Sequence, residues 1–349
     1  MRNPVVEEDL AYITSASLPW SDLEGRTLVI SGANGFLASY IVETLMYLNE
    51  NKFTEQVQVI GVVRDAQRAW TKFADHVRRG CLHFLVQDVC MPVCIKEQVD
   101  YVIHAASQAS PKYYGIDPVG TLSANVLGTH NMLHLAHEHH VKGFLFFSSG
   151  EVYGKVDPDH IPTREDWYGY MDPMDMRSCY GESKRLGETM CVSWMHQYRV
   201  PARIVRPFHI YGPGMRLDDN RVFADFVADI LDNHDIIVKS DGSALRTFCY
   251  LADAILGFFT VLLCGQNGQA YNIGDDREEI SILGLAQRLA DLFPEKNLRV
   301  AQRDRVETPG YIASCILRSC PDISKARALG WEPKTSIEAG FSRTVRSFA

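Results

Sequence analysis

The chain has no basic excess, no long apolar run and no paired-cysteine framework, and each absence removes a class of function. Lys and Arg number 35 against 43 Asp and Glu, a formal net charge of -8. There is no positive footprint for nucleic acid, and none is expected as a partner. An acidic protein that holds an anionic ligand must do so with local donors. The longest apolar stretches, such as residues 254–263, are far too short to span a bilayer. The N-terminus carries Glu7, Glu8 and Asp9 instead of a basic segment leading into an apolar one. A soluble, cytoplasmic protein without membrane contact is therefore expected. The nine cysteines are an odd number, and no second close pair joins Cys90 and Cys94. Reduced thiols are expected in place of disulfides or a zinc site. His134, His137, His139 and His140 crowd one helix end, but their neighbours read as a wet helix surface, and no metal is expected there.

What is present is an alternation. Short β-branched runs at residues 27–31, 57–63, 83–86, 101–104, 144–148 and 202–205 are separated by helical patterns that include 36–48, 119–139 and 180–198. That order implies an α/β fold, a Rossmann doubly wound parallel sheet with a smaller C-terminal substrate-binding lobe. The expected organisation is an N-terminal extension over 1–26, tacked down by Trp20 and Leu23, and a dinucleotide-binding domain over 27–206. Residues 207–349 form mainly a substrate-binding lobe, with segments near 250–273 returning to the first domain.

The first strand runs into Ser31-Gly32-Ala33-Asn34-Gly35-Phe36-Leu37-Ala38. Gly32 permits a tight turn, Gly35 lets backbone approach a pyrophosphate, and Ala38 allows close helix–strand packing; the helix start offers unpaired N–H groups to phosphate. A plain glycine turn is the alternative, and the position after a strand and before a helix favours a dinucleotide. Gly32, Asn34, Gly35, Phe36 and Leu37 are thus candidate cofactor contacts. After the second strand an acid would take the ribose 2′-OH of NAD, whereas an arginine pairs with the 2′-phosphate of NADP. Arg64 favours NADP and Asp65 still serves NAD, so the choice stays open, with NAD expected and NADP possible through Arg64. Asp88, followed by Val89, is placed to meet the adenine or to act as a cap.

Tyr180 and Lys184 stand one turn apart on one helix face in CYGESKRLGE. An ammonium beside a phenol is expected to lower the phenol's pKa, so that the phenolate takes a proton from a sugar hydroxyl as hydride leaves. Ser149, at a strand end in FFSSGEVYG, is placed to hydrogen-bond the same oxygen. A Tyr-x-x-x-Lys spacing alone is often mere helix surface; the upstream serines and the glycine turn make it a hydride-transfer site.

With these motifs the chain resembles the NAD-dependent epimerase/dehydratase group of extended short-chain dehydrogenases, and within it the UDP-glucuronate decarboxylases. The similar stretches are HAASQASPKYYGIDP, ANVLGT, SSGEVYG, RSCYGESKR, YGPGMRLDDNRVFADFV, SDGSALRTF, YNIG and PDISKARALGWEPK. The resemblance implies Ser149, Tyr180 and Lys184 as catalytic residues, with Glu151 as an extra acid/base or orienting carboxylate. It implies His104, Ala105, Ala106 and Asn125, along with Tyr180 and Lys184, at the cofactor. It implies Ser107, Pro111, Tyr114, His209, Arg221 and Arg246 at a nucleotide-sugar, and a homodimer built on the two long helices. Glu151 has a plainer reading as a turn carboxylate, and Arg246 as half of a surface salt bridge. Three positions depart from the group: Gly150 stands where Ser or Asp is usual, His209 where Asn contacts the diphosphate, and Arg64 where an acid is usual.

Reactions in this group begin with oxidation at C4. Dehydration at C6 then needs an acid for a poor leaving group, and Gly150 lacks that side chain. Decarboxylation needs less, because a C5 carboxylate is β to the new ketone and CO₂ leaves as an enolate forms, stabilised by Tyr180 and Ser149. The expected reaction is decarboxylation of a UDP-uronate; the alternatives are 4,6-dehydration, 4-epimerisation and a net NADPH-dependent 4-ketoreduction supported by Arg64. A redox-sensing binding protein that lost its chemistry is disfavoured by the intact Ser149, Tyr180 and Lys184.

Overall fold

The computed structural model describes residues 2–303 and 316–348. One parallel sheet organises them, with strands β1 Thr27–Ser31, β2 Gln58–Val63, β3 Leu82–Val86, β4 Tyr101–His104, β5 Gly143–Phe147 and β6 Ala202–Pro207, and a last strand at Ala270–Ile273. The spatial order is Ala270–Ile273, β6, β5, β4, β1, β2, β3. The strand order reverses beside β1, which opens a crevice at the carboxyl ends of β1 and β4. The six strands expected from the sequence recur with ends displaced by no more than two residues.

Helices cover both faces, which is why the central strands are unbroken apolar runs. Leu145 and Phe147 of β5 face one layer and Phe144 and Phe146 the other. The first layer holds α1 Pro4–Ser15, α2 Phe36–Asn51 and a helix over Leu251–Cys264, and the short helices α3 Ala66–Lys72, α4 Ala74–Arg78 and α5 Pro111–Tyr114 lie between in the chain. The opposite layer is α6 Pro118–Glu138 and α7 Ser178–Tyr198. The second half of the chain adds α8 Val222–Leu231, α9 Leu251–Cys264, α10 Ile282–Leu292, α11 Ser324–Arg327 and α12 Ile337–Arg346. α9 is buried along nearly its whole length; its Phe258 meets Phe147 at 4.7 Å and its Phe259 meets Trp20 at 5.1 Å. Each such ring taken out of water stabilises the layer by about 2–3 kcal/mol. Among the described residues no helix is long and apolar enough to cross a membrane.

The first residues are more than the extension expected from the sequence. α1 begins with an Asn3 cap and Pro4, buries Leu10 and Ile13, and places Asp9 in the interior. The Asp9 carboxylate accepts hydrogen bonds from Tyr40 at 2.7 Å, Tyr250 at 2.8 Å and Arg343 at 2.6 Å. One carboxylate thereby ties α1, α2, the start of α9 and α12 together.

Beyond Pro207 the strands are short. Leu245–Arg246 lies between Ile280–Ser281 and Arg318–Ser319. α8, α10 and α12 pack around Phe226, Leu285 and Phe341. This arrangement sets Arg221 and Arg246 facing the carboxyl ends of the central strands across a cavity of about 690 Å³.

Candidate active site

At one end of the cavity β1 leads into the glycine turn. Gly32 has φ +67°, and its N–H donates to Val62 O at 2.8 Å. A Cβ at Gly32 would lie 2.8 Å from the Cα of Ala106, so both conformation and space require glycine. Gly35 precedes α2, whose first turn has no side-chain cap. Its N–H groups are left for an anion. Gly32, Gly35, Phe36, Leu37 and Ala105 line the cavity. A turn without side chains, opening onto an uncapped helix start, fits a dinucleotide diphosphate. Asn34 belongs to the same turn without lining the cavity.

Several candidate cofactor residues form the wall behind this turn. Ser31 Oγ accepts from the amides of Ala105 and Ala106, each at 3.2 Å, and lies 2.7 Å from His104 Nδ1. With two bonds accepted, the hydroxyl donates its proton to Nδ1 and the ring carries its own on Nε2. Burial, with Lys184 nearby, pushes the His104 pKa down to about 3, so this imidazole is neutral. Asn125 donates to Ser183 Oγ at 2.9 Å, and Ser183 donates to Tyr180 O, which pins the first turn of α7. Val89 is buried against Gly128. Arg64 and Asp88 stand outside the cavity at its rim, 3.9 Å apart. Asp88 accepts the N–H of Cys90 at 2.9 Å within a turn and caps no helix.

Mid-cavity, Ser149, Tyr180 and Lys184 come together. Tyr180 lies in the first turn of α7 and Ser149 follows β5, so sheet and helix hold the two groups rigidly. The expected fall in the phenol's pKa is not what the ligand-free site shows. Burial pushes Tyr180 up to about 12, and Glu151 adds to the rise; the Ser149 hydrogen bond and Arg221 oppose it. Lys184 is itself pushed down to about 7 by burial, against the pull of Cys191 and Glu188. Its Nζ donates to Phe147 O at 2.7 Å and lies 5.8 Å from the Tyr180 ring centre. One of the three ammonium protons is used by backbone, and burial sets the direction at both groups.

Around this centre stand aromatic and charged groups. Tyr114 stacks on Tyr180 at 5.1 Å and donates to Ala109 O. Ser149 caps the turn that carries Glu151, its Oγ accepting the Glu151 backbone N–H at 3.2 Å. Gly150 has no room for a side chain, since a Cβ would lie 2.9 Å from the Phe208 ring. Ser107 and Pro111 line the near wall. Arg221 pairs with Asp219 at 3.2 Å. Arg246 donates to the carbonyls of Leu245 and Ile316 and has no carboxylate partner among the described residues. Half-buried His209 has φ +38° and a pKa pushed down to about 3 by desolvation, Arg246 and Arg221. It presents a neutral ring.

Sequence reasoning missed Arg177. It precedes α7, its Nη1 donates to Glu151 at 3.1 Å, and its guanidinium lies 5.9 Å from the centre of the Tyr114 ring. The signal was in hand, because RSCY places an arginine one turn before Tyr180. Among the described residues no group of three His, Cys, Asp or Glu side chains is placed to hold a metal ion.

The architecture and this arrangement have counterparts. UDP-glucuronic acid decarboxylase 3 of Arabidopsis thaliana is 35% identical over 323 residues, covering 92% of this chain and 88% of that protein. UDP-glucuronic acid decarboxylase 1 of Danio rerio is 32% identical over 330 residues, covering 94% and 74%. In structure, the UDP-glucose 4-epimerase of Thermotoga maritima superposes with a TM-score of 0.76 at 23% identity, covering 92% of this chain and 98% of its own. The model of the NAD dependent epimerase/dehydratase family matches residues 28–274. The chain belongs to that family.

Proposed function

We propose that the protein decarboxylates a UDP-uronate, with residues 27–206 and about 250–273 as its dinucleotide half and the rest of 207–349 as its substrate half. The observation that carries this reading is one cavity joining three things: the glycine turn, the Ser149–Tyr180–Lys184 centre, and the arginines 177, 221 and 246. A nucleoside diphosphate uronate is anionic at both the diphosphate and the sugar carboxylate, and the cations lie where those ends would lie. NAD, the family's cofactor, supplies the acceptor for the C4 hydride when bound.

The roles follow from position. To take the C4 hydroxyl proton Tyr180 must be a phenolate, and the positive nicotinamide of NAD, when bound, would bring its pKa down toward that state; Ser149 bonds the same oxygen. The 4-keto group makes the C5 carboxylate a β-keto acid; the C5–C6 bond breaks, CO₂ leaves, and the electron pair becomes an enolate whose oxygen Tyr180 and Ser149 stabilise. The proton that C5 takes up comes from water, which Glu151 positions. With NAD bound the ketone would be reduced again, Tyr180 returning its proton to the C4 oxygen. Arg177 draws the carboxylate in, but its charge is already shared with Glu151. The carboxylate is therefore held without the tight bidentate clamp that would oppose loss of CO₂. Arg246 and Arg221 meet the diphosphate, and neutral His209 adds a ring nitrogen beside them. A homodimer through the exposed Leu122, Leu127 and Leu186 of α6 and α7 belongs to the same proposal.

Incubation of the purified protein with UDP-glucuronate and NAD is expected to release CO₂ without net reduction of the cofactor. Arg64 favours a second reading, a 4-ketoreductase that consumes NADPH in proportion to product. Stoichiometric NADPH loss with a 4-keto nucleotide-sugar, and no CO₂ from UDP-glucuronate, decides for it.

A further inference from the structure

We propose that Glu188 is a positioning residue for the reaction: held by Arg206, its carboxylate fixes the end of β5 that carries Ser149 and sets a negative charge one turn from Lys184. This rests on the reading that Ser149, Tyr180 and Lys184 are the reacting centre, and it adds what holds that centre together.

Glu188 and Arg206 stand behind the cavity and do not line it. The Glu188 carboxylate is the meeting point of three elements. Arg206 of β6 holds it with two bonds, Nε to Oε1 at 2.8 Å and Nη2 to Oε2 at 2.6 Å. Ser148, the first residue past β5, donates to Oε1 at 2.5 Å. Glu188 itself belongs to α7, as Tyr180 and Lys184 do. The remaining nitrogen of Arg206, Nη1, donates to Tyr153 OH at 2.7 Å and to Glu165 O at 2.9 Å, and Tyr153 donates to Asn272 at 2.6 Å. Tyr153 closes the short turn that Ser149 opens. The segment bearing Ser149 and Glu151 is thus tied at both ends to one ion pair, at Ser148 through the carboxylate and at Tyr153 through the guanidinium.

The pair is buried, with 1% of the Arg206 side chain and 13% of the Glu188 side chain exposed. Such a pair adds little stability over apolar packing of the same volume, because desolvation offsets the attraction. What apolar side chains could not supply is directed bonds to Ser148 and Tyr153, and a charge beside Lys184. Positions four apart share a helix face, which sets Glu188 next to the buried Lys184. The other titratable groups around that ammonium are His104 from β4 and Tyr180 and Cys191 from α7; burial keeps all three neutral. Glu151, from the turn after β5, bears on Tyr180 and is engaged by Arg177. β5 presents the Phe146 ring at 5.0 Å and the carbonyl of Phe147, and α6 meets this stretch through the uncharged Asn125. Burial pushes Lys184 down to about 7, opposed by Cys191 and Glu188. With the thiol neutral, the standing negative charge in that balance is Glu188.

The test reads the Lys184 amine directly and activity separately. NMR of the dinucleotide-free full chain grown on isotope-labelled lysine, with the Lys184 signal assigned from Lys184→Met, follows that amine through pH. The unaltered protein is expected to titrate at about 7. Glu188→Gln should titrate about one unit lower, the effect of losing one carboxylate a helix turn away at an effective dielectric near 20, reduced by solvent. Ser148→Ala should leave that titration unmoved. In CO₂ release from UDP-glucuronate with NAD, Glu188→Gln should lower kcat by about tenfold and Ser148→Ala by about threefold, with KM changed less than about twofold in both. A residue that only held the fold would leave the Lys184 titration where it was. Should Gln strand the Arg206 cation and prevent folding, pairing it with Arg206→Met removes that cation, and the same downward shift is expected. A Lys184 titration unmoved by Glu188→Gln, alone or so paired, overturns the proposal. So does Ser148→Ala with unchanged kcat. No CO₂ from the unaltered protein, with the lysine shift as expected, falls on the decarboxylase reading and leaves the role of Glu188 standing.

Discussion

Replacing Arg177 by methionine keeps the side chain's bulk and removes its charge. Arg177 bonds Glu151 at 3.1 Å, with 14% of its own side chain and 32% of the Glu151 side chain exposed. Opposite charges at such a contact attract by about 4 kcal/mol at an effective dielectric near 20. Screening of the part-exposed carboxylate and the cost of desolvation bring a charged hydrogen bond down to about 1–3 kcal/mol. The same cation is assigned to the uronate carboxylate, so kcat/KM for UDP-glucuronate should fall about 5- to 150-fold, mostly through KM. Arg177→Lys should recover part of it. The assay is initial-rate CO₂ release, paired with the affinity for UDP-glucose, which has no carboxylate and should change less than about twofold if the cation acts on the carboxylate alone. An equal loss of affinity for both nucleotide-sugars would mean that Arg177 merely holds the fold of the site, and the carboxylate argument would be wrong.

Three other outcomes follow from the same structure. Gly32→Ala should lose dinucleotide binding while still folding, because its Cβ would press on Ala106 at a φ of +67°; retained affinity in calorimetry would contradict the turn's assignment. Asp9→Asn should cost about 2 kcal/mol of stability, seen as a lower urea midpoint at constant slope, since a buried acceptor for two phenols and a guanidinium loses its charge. His104 and His209 have folded pKa values near 3, below the ordinary 6.5, so between these values the unfolded chain holds protons that the folded one does not. Stability should therefore fall as pH drops from 6.5 toward 3, and His209→Asn should reduce that slope by about 1.4 kcal/mol per pH unit around pH 5.

The sheet was legible because its strands are buried on both faces, which forces unbroken runs of Val, Ile, Leu and Phe. The glycine turn was legible because a tight approach admits almost nothing else. α1 was not, because a charged residue, Asp9, occupies one of its core positions. The partners that make this tolerable lie as far away as Arg343, 334 residues along the chain. Arg177 was passed over although RSCY sets it one turn before Tyr180; what the sequence does not carry is that its guanidinium turns toward Glu151. In the ligand-free site burial holds the Tyr180 pKa above its ordinary value, which the spacing does not show. The spacing shows that Lys184 shares its helix face, but only the fold shows that its ammonium is bonded to Phe147 O.

The central claim is that Tyr180 and a resident cofactor remove a hydride from C4 and give the same hydride back. UDP-glucuronate carrying deuterium at C4 tests it most directly, with the product examined by NMR after complete turnover. The account predicts a pentose product with deuterium still at C4, CO₂ in equal amount, and no product from Tyr180→Phe. Product with protium at C4, or CO₂ release undiminished in Tyr180→Phe, would contradict it.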